Sequence, residues 1–329
     1  MKIIKNGPTV LMCLLLLAAV ITGCEEENVP VVQKTVPHDY RWGIYRLDIE
    51  SQEVELIYGS SDEIYTTAPR LNNHGDRLAF AQKTGSRDDS AKEIYTIDLN
   101  GENLKRLTNN EYHDVYPVWS PDDTRIAFLT MRDGDLDIYI IDADGTNEEK
   151  LYDSGGHDAD IDWEGDSIAF TSESAIWTMN ADGTEPFQVT DLQGREEWGI
   201  ANLPRGDYDP RFSPGGDTIV FERLENIDVP NGGYNFFTVN RDGSGETRLT
   251  ENYYAQGLAD WSHSGEKLVY TVAGIDGVGK YDIYIMNRDG TDNHSITPDY
   301  FPDGFICYGT TFSMDDSAVY FMGDWWEKD

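Results

Sequence analysis

The sequence predicts an all-β chain folded as a six-bladed β-propeller, its last blade closed by N-terminal outer strands and C-terminal inner strands. Three observations carry that expectation. A polar-turn motif occurs six times, a β-rich hairpin motif follows five of those copies, and a strand–turn–strand pair is left over near the N-terminus. Self-similarity at a period of about 40–50 residues marks an array of small sheets.

The first motif is an aromatic or apolar residue, a polar tight turn and a run of alternating apolar residues. Its fullest copy is Trp119-Ser120-Pro121-Asp122-Asp123-Thr124-Arg125-Ile126-Ala127-Phe128. It returns from Leu71 to Phe80, in shortened form from Trp163 to Phe170, and again from Phe212, Trp261 and Phe312. Alternation places Ile126 and Phe128 on one face of a strand and Arg125 on the other. The second motif is a strand, a tight turn and a further strand, as in Asp137-Ile138-Tyr139-Ile140-Ile141-Asp142-Ala143-Asp144-Gly145-Thr146. Asp-Gly or Asn-Gly at each turn predicts a two-residue primed hairpin, which needs the positive φ that glycine tolerates best. Arg106-Leu107-Thr108, Arg248-Leu249-Thr250 and Ser295-Ile296-Thr297 end the outer strands.

Six turns and only five complete hairpins leave one blade unfinished. Residues 42–58 supply a strand, a turn and a strand, and residues 308–322 supply the inner pair. Joining them completes the sixth blade and removes the two free edges of an open array.

Taken together, the Trp119-Ser120-Pro121-Asp122 turn, Ile126-Ala127-Phe128, Asp137-Ile138-Tyr139 and Asp142-Ala143-Asp144-Gly145-Thr146 closely resemble the propeller repeat of the TolB family, also called the WD40-like or PD40 repeat. The resemblance extends over about 42–322 and implies the propeller fold. TolB itself has a separate α/β domain before its propeller, which the stretch between Cys24 and Trp42 is too short to hold. The resemblance is therefore to the propeller alone.

Ahead of the repeats, Lys2 and Lys5 precede an apolar run from Val10 to Val20 and then Ile21-Thr22-Gly23-Cys24. A basic start, a short apolar run and small residues make a signal peptide, since a spanning helix needs about 20 apolar residues. Ile21-Thr22-Gly23-Cys24 resembles a bacterial lipobox, which implies lipidation of Cys24 and a membrane anchor. The expected layout is a signal peptide over 1–23, a lipidated acidic tether over 24–41 and the propeller over 42–329, exported to the cell envelope on the periplasmic side or at the surface. Cys13 leaves with the signal and Cys24 carries lipid, so Cys307 has no partner for an intrachain disulfide.

The formal charge of -36 becomes -38 once Lys2 and Lys5 are lost. A field of that sign excludes nucleic acid as a partner and disfavours anionic headgroups. The propeller is expected to be a monomer.

Several acids and two histidines precede inner strands, where a propeller brings chain to the mouth of its channel: His113, Asp114, His157, Asp158, Asp160, Asp207 and Asp209. Converging carboxylates repel unless protonated or bridged by a cation, and oxygen ligands favour Ca²⁺ in the channel. Two long connections, 191–207 with Arg195, Trp198 and Arg205, and 224–233 with Glu225 and Asp228, are candidate partner-binding loops. No catalytic set is expected, since Gly243-Ser244-Gly245 is not a nucleophile elbow. These features favour a non-catalytic scaffold for an envelope protein or glycan. The alternative is a metal-dependent enzyme acting on acidic oligosaccharides, similar to propeller-type oligogalacturonate lyases, with His113 and His157 in the channel.

Overall fold

The computed structural model of the chain describes residues 34–85, 91–201, 203–251, 255–273 and 281–325. Cys24 and the signal segment lie outside them. The described residues contain no helix, and their strands form six four-stranded antiparallel sheets. β1 (Trp42–Asp48) and β2 (Val54–Ser60) come first. Blade 1 is β3 (Ile64–Leu71), β4 (Arg77–Lys83), β5 (Lys92–Asp98) and β6 (Lys105–Arg106). Blade 2 is β7 (Asp114–Trp119), β8 (Arg125–Thr130), β9 (Asp137–Asp142) and β10 (Glu149–Tyr152). Blade 3 is β11 (Asp158–Glu164), β12 (Ser167–Ser172), β13 (Ala175–Asn180) and β14 (Phe187–Gln188). Blade 4 is β15 (Gly206–Phe212), β16 (Thr218–Asn226), β17 (Gly233–Asn240) and β18 (Thr247–Arg248). Blade 5 is β19 (Gln256–Trp261), β20 (Lys267–Ala273), β21 (Tyr281–Asn287) and β22 (His294–Ser295).

β23 (Phe305–Phe312) and β24 (Ala318–Trp325) complete the circle by pairing with β1, in the order β23-β24-β1-β2. The closing register runs from Trp42 opposite Asp324 to Asp48 opposite Ala318. The predicted mixed blade is thus the observed one.

Local chemistry explains why each repeat stops and turns where it does. In the polar turn, Ser120 Oγ accepts the Arg125 N–H at 2.9 Å and donates to Asp122 at 2.7 Å. Hydrogen bonds from Ser120 and Thr124 pull the Asp122 carboxyl down to about 2, and Ser313 and Ser317 do the same for Asp315. The next acid reaches the neighbouring blade: Asp123 accepts the Asn73 and His74 N–H groups at 2.8 Å, and Asp316 accepts those of His263 and Ser264 at 2.7 and 3.0 Å. Threonines closing the outer strands also have a purpose. Thr108, Thr190, Thr250 and Thr297 each accept an N–H of the third strand of the same blade, from Ile94, Ile176, Phe236 and Ile283, at 2.7–3.0 Å.

The hairpins differ from the expected two-residue primed turn. Asp142 N–H bonds to Thr146 O and Gly145 N–H to Asp142 O, and of the central residues only Gly145 has positive φ. That is a three-residue loop, a type I turn followed by a left-handed glycine. Packing fixes the glycine as firmly as φ does: a Cβ on Gly183 would lie 2.5 Å from the Leu151 carbonyl oxygen of the preceding blade, and one on Gly290 2.4 Å from that of Leu249.

Burial also departs from simple alternation. From Ile126 to Thr130 every residue of β8 is buried, because both faces of a second strand pack against a neighbouring blade. At one equivalent position in these strands stand Phe80, Phe128, Phe170, Phe221, Tyr270 and Phe321, all without solvent exposure. Truncating such a residue costs about 3–5 kcal/mol. The core is therefore a ring of apolar seams between blades around a central channel. Inner strands all start on one face, the loop face, and run to the opposite face, the turn face.

Candidate functional site

Every inner strand from β7 onward breaks its ladder at the same place. A left-handed residue sits there: Tyr116, Asp160, Asp209, Leu258 and Gly309, with φ between 51° and 63°. Such bulges re-aim side chains at the rims of closed sheets. Beyond the bulge one residue per blade takes the same register, namely Arg70, Val118, Asp162, Arg211, Asp260 and Thr311. Arg70 of blade 1 reaches Asp162 of blade 3 at 3.5 Å and Asp260 of blade 5 at 3.7 Å, so these side chains meet inside the channel. Arg211 pairs with Asp209 at 2.9 Å and with its own neighbour's carbonyl at 2.6 Å. Burial raises the Asp162 carboxyl, against the pull of Arg70 and Arg211. The channel is crossed by partly buried ion pairs.

Beside this ring lies a cluster in which charge is not balanced. Asp209 N–H approaches Asp160 Oδ2 at 3.4 Å, and Glu222 on β16 faces the same pair. Burial first, then the nearby Asp209, pushes the Asp160 carboxyl up to about 7. Glu222 is pushed well above the ordinary range by burial and by the same two aspartates. Like charges crowded into a poorly solvated site cannot all ionise, so Asp160 and Glu222 are driven toward the protonated form. Among the described residues, no three His, Cys, Asp or Glu side chains are disposed to hold a metal ion.

The other acids singled out in the sequence go elsewhere. Asp114 accepts from Asn110 Nδ2 at 2.7 Å and pairs with Arg132 at 3.2 Å. Asp158 accepts the Ser154 N–H at 3.0 Å, and Asp207 takes both arms of Arg223 at 2.6 and 3.0 Å. Each is wholly buried at the start of its inner strand. His113 Nδ1 accepts the Lys92 N–H and His157 Nδ1 the Leu136 N–H, both at 3.2 Å, so each histidine ties its strand to the third strand of the preceding blade. Of the seven, only Asp160 and Asp209 come together.

On the loop face, blades 4, 5 and 6 leave a pocket of about 500 Å³. Its walls include Tyr234, Gln256, Leu258, Thr271, Tyr281, Tyr308 and Asp324. The two long loops belong to the same face. Ile200 and Ala201 N–H groups both bond to Ile227 O, at 2.7 and 2.9 Å, which ties one loop to the other. Arg195 pairs with Asp191 at 3.2 Å and Arg205 with Glu197 at 3.4 Å. Glu225 is held by Arg248 at 2.8 Å and Asn235 at 2.6 Å, whereas Asp228 is exposed. Trp198 is 68% exposed.

Sequence reasoning missed Arg70, Arg211, Glu222 and the three pocket tyrosines. A signal for the arginines was present: each channel residue immediately precedes the aromatic or apolar residue that opens the polar-turn motif, as in Arg70-Leu71, Asp162-Trp163 and Arg211-Phe212. The tyrosines carry no such positional mark.

Residues 38–185 match the family model described as the TolB β-propeller domain. The chain is similar in structure to a TolB-type protein from Agrobacterium tumefaciens, at 16% identity and a TM-score of 0.67, over 88% of this chain and 100% of that one. It is similar also to TolB from Acinetobacter baumannii, at 17% identity and a TM-score of 0.57, over 78% of this chain and 63% of that one. A chain of a nidogen/laminin complex matches at 13% identity and a TM-score of 0.58, over 78% of this chain and 94% of that one. At such identities the likeness is one of fold.

Proposed function

We propose, from the premise that this chain is a TolB-like six-bladed β-propeller, that it is a binding scaffold of the cell envelope, exported and anchored through lipid on Cys24, and that it holds a protein partner at the loop face. The observation that carries this reading is the pocket walled by Tyr234, Tyr281 and Tyr308 on the loop face. A concave site with aromatic walls and a few polar groups suits an inserted side chain or short segment, and tyrosine gives contact area at low entropic cost. A glycan would use the same aromatic walls, so the partner's class is decided by experiment.

A photo-crosslinking amino acid placed at Tyr281, and separately at Ser264 on the turn face, tests the reading in living cells. The expected result is one discrete protein adduct from position 281 and none from position 264. Saccharide-sensitive smears from 281 would make the ligand a glycan, and adducts only from 264 would overturn the loop-face assignment.

A further inference from the structure

The chain arrives at the propeller on the same face as the pocket and the long loops. β1 begins at Trp42, opposite Asp324, and the adjacent Trp325 pairs with Phe305 at the loop-face end of β23. Upstream of β1 the backbone is already fastened. Pro37 O accepts from Tyr45 Oη and from Trp325 Nε1, both at 3.3 Å, and the His38 ring lies 3.8 Å from that of Trp325. Val36 is buried in the apolar seam of blades 5 and 6. Only the stretch from Cys24 to Val36 is left to span the distance to an anchor, at most roughly 40 Å when fully extended.

That face carries an apolar loop of unusual exposure. Between β14 and β15, Trp198 is 68%, Ile200 64% and Leu203 40% exposed. The loop backbone is nevertheless pinned. Besides the two bonds to Ile227, Glu196 N–H bonds to Arg205 O and Arg205 N–H to Glu197 O, each at 2.8 Å. Three large apolar side chains are thus exposed on a loop held by backbone bonds at both ends, on the face where β1 begins.

We infer that the loop bearing Trp198, Ile200 and Leu203 seats in the interfacial layer of the bilayer that holds Cys24, so that the propeller lies with its loop face toward the membrane and the partner held at that face is one met at the membrane surface. The inference rests on the lipid-anchor reading of Cys24. Tryptophan and aliphatic side chains favour the headgroup–acyl boundary, and a second contact turns a single-point tether into a fixed orientation. The strongly acidic surface makes a zwitterionic bilayer the fitting one, since attraction to anionic headgroups is absent.

The test uses the full lipidated protein in phosphatidylcholine vesicles doped with nitroxide lipid. Ile200→Cys, which keeps Trp198, and Asp144→Cys on the turn face each receive an environment-sensitive fluorophore; Cys307 is buried and stays unlabelled. The expected result is a blue shift and roughly twofold quenching by nitroxide lipid at position 200, with neither at position 144. Vesicle-bound protein whose two labels behave alike overturns the orientation while leaving the anchor intact. A label at 200 that is shielded from water but not quenched makes the loop a protein contact and also overturns it. Protein that fails to float with the vesicles sinks the anchor reading and the orientation together.

Discussion

Two sets of carboxylates stand two residues apart in the same inner strands and have different surroundings. Asp158 and Asp207 stand at the start of β11 and β15, whereas Asp160 and Asp209 occupy the bulges that follow. Asp207 is met by both arms of Arg223, and Asp158 by a backbone N–H of its own approach loop. Asp160 is met by Asp209 and Glu222, while Asp209 also holds Arg211 at 2.9 Å, which leaves Asp160 as the acid without a cation of its own. Burial alone therefore says little about what an acid does. Its partners separate an acid that fastens the fold from one that keeps a proton in the channel.

The largest expected effect comes from breaking the fastening set. Arg223 pairs with Asp207 and Glu246 and stacks over Phe237 at 4.4 Å. Arg223→Ala leaves Asp207 charged and buried without its partner, which costs about 3–5 kcal/mol for pairs of this kind. Urea unfolding of the variant at pH 7 measures the loss. A cost below about 1 kcal/mol, the range of an exposed pair, would remove Asp207 from the structural set and return it to the candidate site.

A smaller effect of opposite sign is expected from the channel set. The folded state holds the Asp160 proton up to about pH 7, while the unfolded chain releases it near the ordinary carboxylate value of 3.8. Between those values the folded state binds more protons, so stability from this group is greatest below pH 4 and falls as pH rises to 7. Glu222 acts in the same direction. Asp160→Asn removes the penalty, and asparagine tolerates the left-handed backbone at this position, φ 51°. The variant should melt higher than the wild type at pH 8, by about 2–4 °C for each kcal/mol recovered, and the margin should shrink at pH 5 and close below about pH 4. Equal melting temperatures at both pH values would show that the cluster is relieved by something other than protonation.

The contrast between these sets also shows where the sequence stops being legible. Six polar turns and five hairpins specify the blades because each turn residue has a local task, such as Ser120 satisfying Arg125 N–H, and local tasks leave a pattern in sequence. The mixed sixth blade was readable by counting. Strict alternation, however, puts Asp158 and Asp160 on the same side of β11. The ladder slips between Ala159 and Asp162, and that slip sends the two carboxyls to different surroundings. A non-glycine residue with positive φ has no reliable mark in a single sequence, so seven candidate ligands could be gathered near inner strands but not sorted. Trp198 illustrates the same limit from outside. Its loop was legible from length, whereas its exposure depends on Ile227 of a second loop bonding to Ile200 and Ala201.

The histidines give the smallest effect and the sharpest separation between a seam and a site. His157 Nδ1 accepts a single N–H, that of Leu136, across the seam between blades 2 and 3. His157→Ala frees that donor at an exposed edge, where water replaces much of what is lost, and about 0.5–1 kcal/mol of stability should go with it. The same loss should be seen with and without EDTA, and EDTA alone should leave the wild-type melting temperature unchanged, because the ring serves the backbone of the neighbouring blade. If EDTA lowered the wild-type melting temperature and His157→Ala abolished that response, the ring would be a metal ligand. A neutral imidazole that accepts at Nδ1 carries its proton on Nε2, so the ring would have to give up the Leu136 bond to bind the metal, and the channel acids would have to be weighed again as its companions.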